Sequence, residues 1–255
     1  MSNIRVKNKL VDLTWPELAN KQIDFWVLPT GSVEQHGPHL PLGSDFFLAE
    51  KISSVITNNF HCLELPSTPL GVNFAFSEWP GTIGISPETY MNLIIEIASK
   101  ASKKCPRLLI ISAHDENLPL LHLIAQNLTE KHGMEVAFFE WAEFVLDVIR
   151  SVSESSDEMH AGEALTSLFL HWFPQHVLKE NIRRGSKSRA GVASDDIHLD
   201  HRAFNPIQYK FDNQSSGVFG NPTLSSKEKG EHITDELIKR AFNFINDLQW
   251  SGKNE

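Results

Sequence analysis

The chain has 255 residues, 41% of them apolar and 22% charged, an ordinary globular balance that argues against disorder. A formal net charge of −9 argues against a general binder of nucleic acid or anionic membrane, since either needs basic surface. Two cysteines are too few for a disulfide framework, and no apolar stretch approaches the ~18 residues of a membrane span.

Ile23 to Leu28 is a short apolar run ending at Pro29-Thr30-Gly31 and reads as a buried strand feeding a loop. Phe46 to Asn58 has helical spacing, with Asp45 placed as its N-cap. Cys62 to Leu65 reads as a second strand. Pro87 opens a helical pattern through Lys104, Pro at a first helical position being a start signal. Arg107 to Ile111 is apolar on both faces, as in a covered parallel sheet. Leu118 to His132 is helical, Glu135 to Glu140 a strand, and Ala161 to Trp172 and Lys227 to Leu248 helices. Residues 178–222 read as long polar loops. Strands alternating with helices predict a mostly parallel sheet in a three-layer α/β/α arrangement, with residues 1–255 as a single domain. Ligands of such sheets bind at the C-terminal ends of strands, which puts the chemistry in loops 29–45 and 112–117.

The first loop gathers Glu34, His36, His39 and Asp45 among three prolines and three glycines. Carboxylate oxygen and imidazole nitrogen are the donor set for zinc, manganese or iron. Glu34 and His36 are two apart, so an extended backbone points them the same way. The second loop repeats that pairing with His114 and Glu116. Asp115 is then expected to point away, and Asn117 to cap the next helix or hold a ligand in place. Together the loops supply enough donors for two metals sharing a carboxylate, which would polarise a carbonyl and activate a water. His160, beside such a site, is a candidate proton shuttle to a leaving nitrogen. His198-Leu-Asp200-His201 fits no familiar metal spacing and reads as a solvated loop or a contribution to a neighbouring subunit.

Glu34-Gln-His36-Gly within PTGSVEQHGPHLPLGSD resembles the signature loop of the creatininase (creatinine amidohydrolase) family. Trp79-Pro-Gly-Thr82, His114-Asp-Glu-Asn117, Met159-His-Ala-Gly-Glu163 and Ser216-Gly-Val-Phe-Gly-Asn-Pro222 follow in the matching order. The resemblance implies a creatininase-like α/β/α fold and two divalent ions, Zn or Mn with Fe possible. Glu34, His36, Asp45, His114 and Glu116 fall on the ligand positions, with Asp45 bridging. It also implies that His160 is the catalytic histidine and that the chain is a cytoplasmic homo-hexamer; Glu116, though a ligand, is a second catalytic candidate for assisting proton transfer. The implied activity is hydrolysis of a non-peptide amide C–N bond, a small cyclic amide or a formamide, by a metal-bound hydroxide. The partner is then a small-molecule amide, with no nucleic acid and no membrane.

The departures from the family lie in the pocket. Trp141 matches a pocket tryptophan, but Ser156 stands where creatinine-acting enzymes have a second one, and Asp115 replaces a tyrosine. Those three are the expected substrate-binding residues. A His often found before the Pro-Gly-Thr step is missing around Phe76. Leu165 stands where a Glu precedes Thr166-Ser167, with Glu163 considered as its substitute. Asp115, if it reaches the pocket, favours substrates with N–H donors or positive charge. The competing readings are a formamide hydrolase, a peptidase-like enzyme of a biosynthetic pathway, and a non-catalytic ligand-binding homologue.

Overall fold

The computed structural model describes residues 7–155, 158–186 and 215–250. A short helix α1 (Trp15–Asn20) precedes strand β1 (Phe25–Thr30). Helix α2 (Ser44–Thr57) and strand β2 (Cys62–Glu64) follow, then α3 (Pro87–Ala101) and β3 (Arg107–Ser112). Helix α4 (Leu118–His132) leads to β4 (Glu135–Glu140), α5 (Trp141–Phe144) and α6 (Leu146–Val152). Helices α7 (Glu163–Trp172) and α8 (Lys227–Asp247) complete the described elements. No described helix is long and apolar enough to cross a membrane.

The four strands are all parallel, in the order β2-β1-β3-β4. Side chains alternate across the strands, and each face of the sheet has its own core. On one face Val27, Leu109 and Ile111 pack with Leu48 and Ile52 of α2, Leu168 of α7 and Leu237 of α8. On the other, Trp26, Leu28, Leu108 and Ile110 pack with Tyr90 and Ile94 of α3 and Ile124 of α4. Burying each such aliphatic side chain contributes roughly 1.5–3 kcal/mol, so the doubly apolar strands make the sheet central. The three-layer arrangement expected from the alternation of elements is therefore present.

After β2 the chain crosses back over β1 to lay down β3. That reversal makes the β1/β3 boundary the topological switch point, where a crevice opens beyond the strand ends. The registers pair Thr30 with Ser112 and Ser112 with Glu140, so three strand ends lie side by side. The loops after β1 and β3 start from that line.

Helices α7 and α8 approach closely at Gly230, where an added Cβ would run into the Ser167 carbonyl. Gly230→Ala should therefore lower stability by roughly 1–3 kcal/mol, the usual overpacking cost. A lowered thermal midpoint checks this; an unchanged midpoint would show that the helices can separate freely.

Candidate metal centre

The first loop is fixed against α2 by a close approach. A Cβ on Gly31 would lie 2.5 Å from the Phe46 nitrogen and 2.7 Å from the Asp45 carbonyl carbon. Asp45 is the second residue of α2, whose N-cap is Gly43, so it does not cap the helix as expected. Its buried carboxylate turns inward instead, accepting from Ser32 Oγ at 2.8 Å.

Glu34, Asp45 and His114 bring one donor atom each within 4.8 Å of one another, and all three are buried. His114 Nδ1 lies 3.0 Å from Asp45 Oδ2 and 3.4 Å from Glu34 Oε2. His36 Nε2 lies 2.9 Å from Asp45 Oδ1. Each imidazole uses its other nitrogen for a backbone carbonyl: His36 Nδ1 to Glu34 at 3.0 Å and His114 Nε2 to Val72 at 2.6 Å. Such bonds fix the tautomer and leave the inward nitrogen as a lone-pair donor, the usual outer-shell arrangement of metal-ligating histidines.

Charge in this cluster is unbalanced. Burial drives the Glu34 carboxyl well above its ordinary range. Burial opposes ionisation of Asp45 too, but His36 and His114 more than offset it and hold that carboxyl well below its usual value. Burial also opposes the His114 charge, yet Glu34 and Asp45 raise its pKa well above normal. Glu34 Oε2 is buried and has no hydrogen-bond partner among the described residues, with His114 Nδ1 3.4 Å away. Two buried carboxylates and two imidazoles converge here, and a divalent cation would take the place of the proton that Glu34 and Asp45 hold on the His114 ring.

Glu116 does not join the triad as a strand-end twin of His114. Asp115–Asn117 is a 3-10 turn, so the two-apart extended geometry does not apply. The Glu116 carboxylate lines the same cavity and accepts from the Phe74 and Ala75 amides, while burial pushes it up to about 7. The turn also changes Asp115, expected to point away. Its half-exposed side chain lies on the cavity, with Oδ1 accepting from the Glu116 amide at 2.9 Å. Asn117 is the N-cap residue of α4 but its side chain makes no cap bond. Its amide ties Val72, Gly31 and Thr30 together.

His160 stands over the cluster, its ring 4.8 Å from that of His36 and 4.2 Å from that of Phe76. Its backbone exchanges two hydrogen bonds with Phe219, and its Nε2 meets the Gln35 carbonyl at 2.8 Å. Burial pushes it down to about 3, so it is neutral near pH 7 and keeps Nδ1 as an acceptor. Trp141 lines the cavity and is 7% exposed. Leu165 forms an apolar part of the wall. Glu163 does not replace the missing carboxylate there. It is bound by the Glu154 and Ser155 amides and by Lys229 Nζ of α8, and does not line the cavity. His39 is fully buried and bonded to Thr166 at 2.9 Å, so it staples the loop to α7. Ser156, His198, Asp200 and His201 lie outside the described residues.

Three cavity carboxylates escaped the sequence reading: Glu140, Glu143 and Glu158. Glu140 ends a predicted strand, and that position was the available signal. Glu158 accepts from the Glu163 and Ala164 amides and so anchors the start of α7 beside His160.

The fold and the cluster together define an α/β/α protein with a carboxylate–imidazole site at the switch point of its sheet. The sequence matches the creatininase family, described as creatinine amidohydrolase, over residues 11–245, and the chain belongs to that family. It is 26% identical over 244 residues to the mycofactocin precursor peptide peptidase of Mycobacterium ulcerans, covering 88% of this chain and 82% of that one. It is 22% identical over 248 residues to the 3-dehydro-scyllo-inosose hydrolase of Thermotoga maritima, covering 89% and 78%. Among solved structures, a mutant creatininase of Zn–Zn type superimposes with a TM-score of 0.76 at 19% identity, covering 95% of this chain and 98% of that one. A creatininase with Mn gives 0.73 at 21%, covering 94% and 98%.

Proposed function

We propose that this protein is a metal-dependent hydrolase of a small amide, cyclic or formyl, in which Glu34, His36, Asp45, His114 and Glu116 hold two divalent ions. One observation carries the reading. His36 and His114 each spend one ring nitrogen on a backbone carbonyl and turn the other toward Asp45, beside the buried Glu34 Oε2. The Zn–Zn and Mn creatininases of the same fold support those metals here. When bound, such ions polarise a carbonyl and make water a nucleophile near neutral pH.

The protein's own side chains supply the rest. Asp45 offers one oxygen to the His36 side and the other to the His114 side, the arrangement of a bridging carboxylate. The Phe74 and Ala75 amides orient Glu116. His160 takes up at Nδ1 the proton released as water adds to the carbonyl, and returns it to the departing nitrogen. Phe76 shields one side of that ring from water.

A panel of creatinine, other lactams, N-formyl amines and short peptides, assayed for amine release with and without chelation, tests this. Chelator-sensitive release from a lactam or formamide is expected. Release from peptides alone would move the activity toward that named for the mycobacterial relatives. Creatinine itself is expected to be poor, with kcat/KM below the ~10⁴ M⁻¹s⁻¹ of ordinary enzymes, because by the sequence resemblance Ser156 stands at the position where creatinine-acting enzymes carry a second tryptophan. A value at or above that level would restore creatinine as the substrate.

A further inference from the structure

Asn117 is fully buried and is not among the residues that line the cavity. At the N-cap of α4 its ordinary use would be a side-chain cap, which needs an extended backbone. Its backbone is already helical, with φ −75° and ψ −25°, and it makes no cap bond. The amide is spent on other segments. Its Oδ1 accepts from the Val72 N–H at 3.1 Å, while Nδ2 donates to the Gly31 carbonyl at 3.2 Å and to Thr30 Oγ1 at 3.4 Å.

Both of those backbone partners lead to the metal cluster. Val72 is the residue whose carbonyl accepts from His114 Nε2 at 2.6 Å. Just beyond it, the Phe74 and Ala75 amides hold the Glu116 carboxylate. Gly31 opens the loop that runs to Glu34 and His36. A close approach shows independently how tightly these parts meet. A Cβ on Gly71 would lie 2.7 Å from the Gly31 oxygen and 2.8 Å from Asn117 Oδ1, so no side chain fits between them.

The sheet does not need this amide. Strands β1 and β3 are paired from Trp26 and Leu108 to Thr30 and Ser112, and the Ala113 amide carries the ladder on to the Thr30 carbonyl. What Asn117 holds is the spacing between Val72 and Gly31. A metal-ligating imidazole is fixed in tautomer and ring angle by the acceptor on its other nitrogen, so an acceptor that shifts loosens the ligand.

We propose that Asn117 is a positioning residue for the metal centre: it holds the Val72 carbonyl that orients His114 at a set distance from the loop of Glu34 and His36. This rests on the metal-dependent reading above and adds a residue that touches the cluster only through others.

The test needs no substrate. Chelator-stripped protein is titrated with zinc in competition with a chromophoric chelator, and with cobalt to read the visible spectrum of the bound ion. Asn117→Ala is expected to bind zinc at least about tenfold more weakly, within the roughly 10–100-fold cost of losing an outer-shell partner, and to alter the cobalt spectrum. Asn117→Ser, whose short hydroxyl cannot reach Val72 and Gly31 together, should weaken zinc as well and serves if the alanine variant does not fold. Tyr90→Phe is the control for a purely structural role. It removes an equally buried hydroxyl, 2.8 Å from Thr30 Oγ1, that reaches Asn117 only through Thr30. Its thermal midpoint should fall while zinc affinity and the cobalt spectrum stay those of the wild type. Wild-type zinc affinity in the Asn117 variants, or equal weakening in Tyr90→Phe, would overturn the proposal. A wild-type protein that takes up neither metal would overturn the metal reading and this one with it.

Discussion

Asp45→Ala is expected to yield a folded protein almost free of divalent metal and without hydrolase activity. Among the described residues Asp45 is the one side chain that meets both histidines, His36 at 2.9 Å and His114 at 3.0 Å. Its loss leaves two imidazoles with no shared acceptor and takes a donor from both ions at once. Losing an outer-shell partner alone costs roughly 10–100-fold in metal affinity, so a shared ligand should cost more. Asp45 sits in the first turn of a 14-residue helix whose apolar face is untouched, so circular dichroism should stay near that of the wild type. Metal analysis after gel filtration decides the point. Full metal content in the variant would remove Asp45 from the bridging position.

His160→Ala should separate binding from chemistry. The ring touches His36 and Phe76 and bonds the Gln35 carbonyl, but lies outside the Glu34–Asp45–His114 triad. Metal content should therefore stay near normal while kcat falls by roughly 10²–10⁴-fold, the range for general acid–base catalysis. The backbone pairing of residue 160 with Phe219 does not depend on the ring, so the segment should hold its place. Unchanged turnover would assign the proton transfer to another group.

The sheet was legible because its strands are apolar on both faces, which leaves few alternatives to a covered parallel sheet. Glu135–Glu140 and Leu118–His132 have the expected bounds, and Arg107–Ser112 runs one residue further. The short helices α1, α5 and α6 were not legible. Helices of four to seven residues carry too few turns for a periodic signal, and tertiary contacts fix them.

Within the site, the first loop was readable from its donor types alone. The second was read as extended, and its 3-10 turn moved both Asp115 and Glu116 from their expected places. Glu163 misled for a related reason. Its sequence position suggests the pocket, but its partner Lys229 lies 66 residues away on α8. The end of a predicted strand points to Glu140, but its place beside Ser112 follows from the β3–β4 register, which no local pattern encodes.

Amide hydrolysis at this cavity is expected to depend on a pair of divalent ions. Its most direct test is a metal titration of chelator-stripped protein with Zn or Mn, following amine release from the best substrate of the panel. Activity should be lost on stripping and return with added metal, reaching its plateau at about two equivalents per chain, as a two-metal site requires. Full activity in stripped protein, with no response to either metal, would contradict the account.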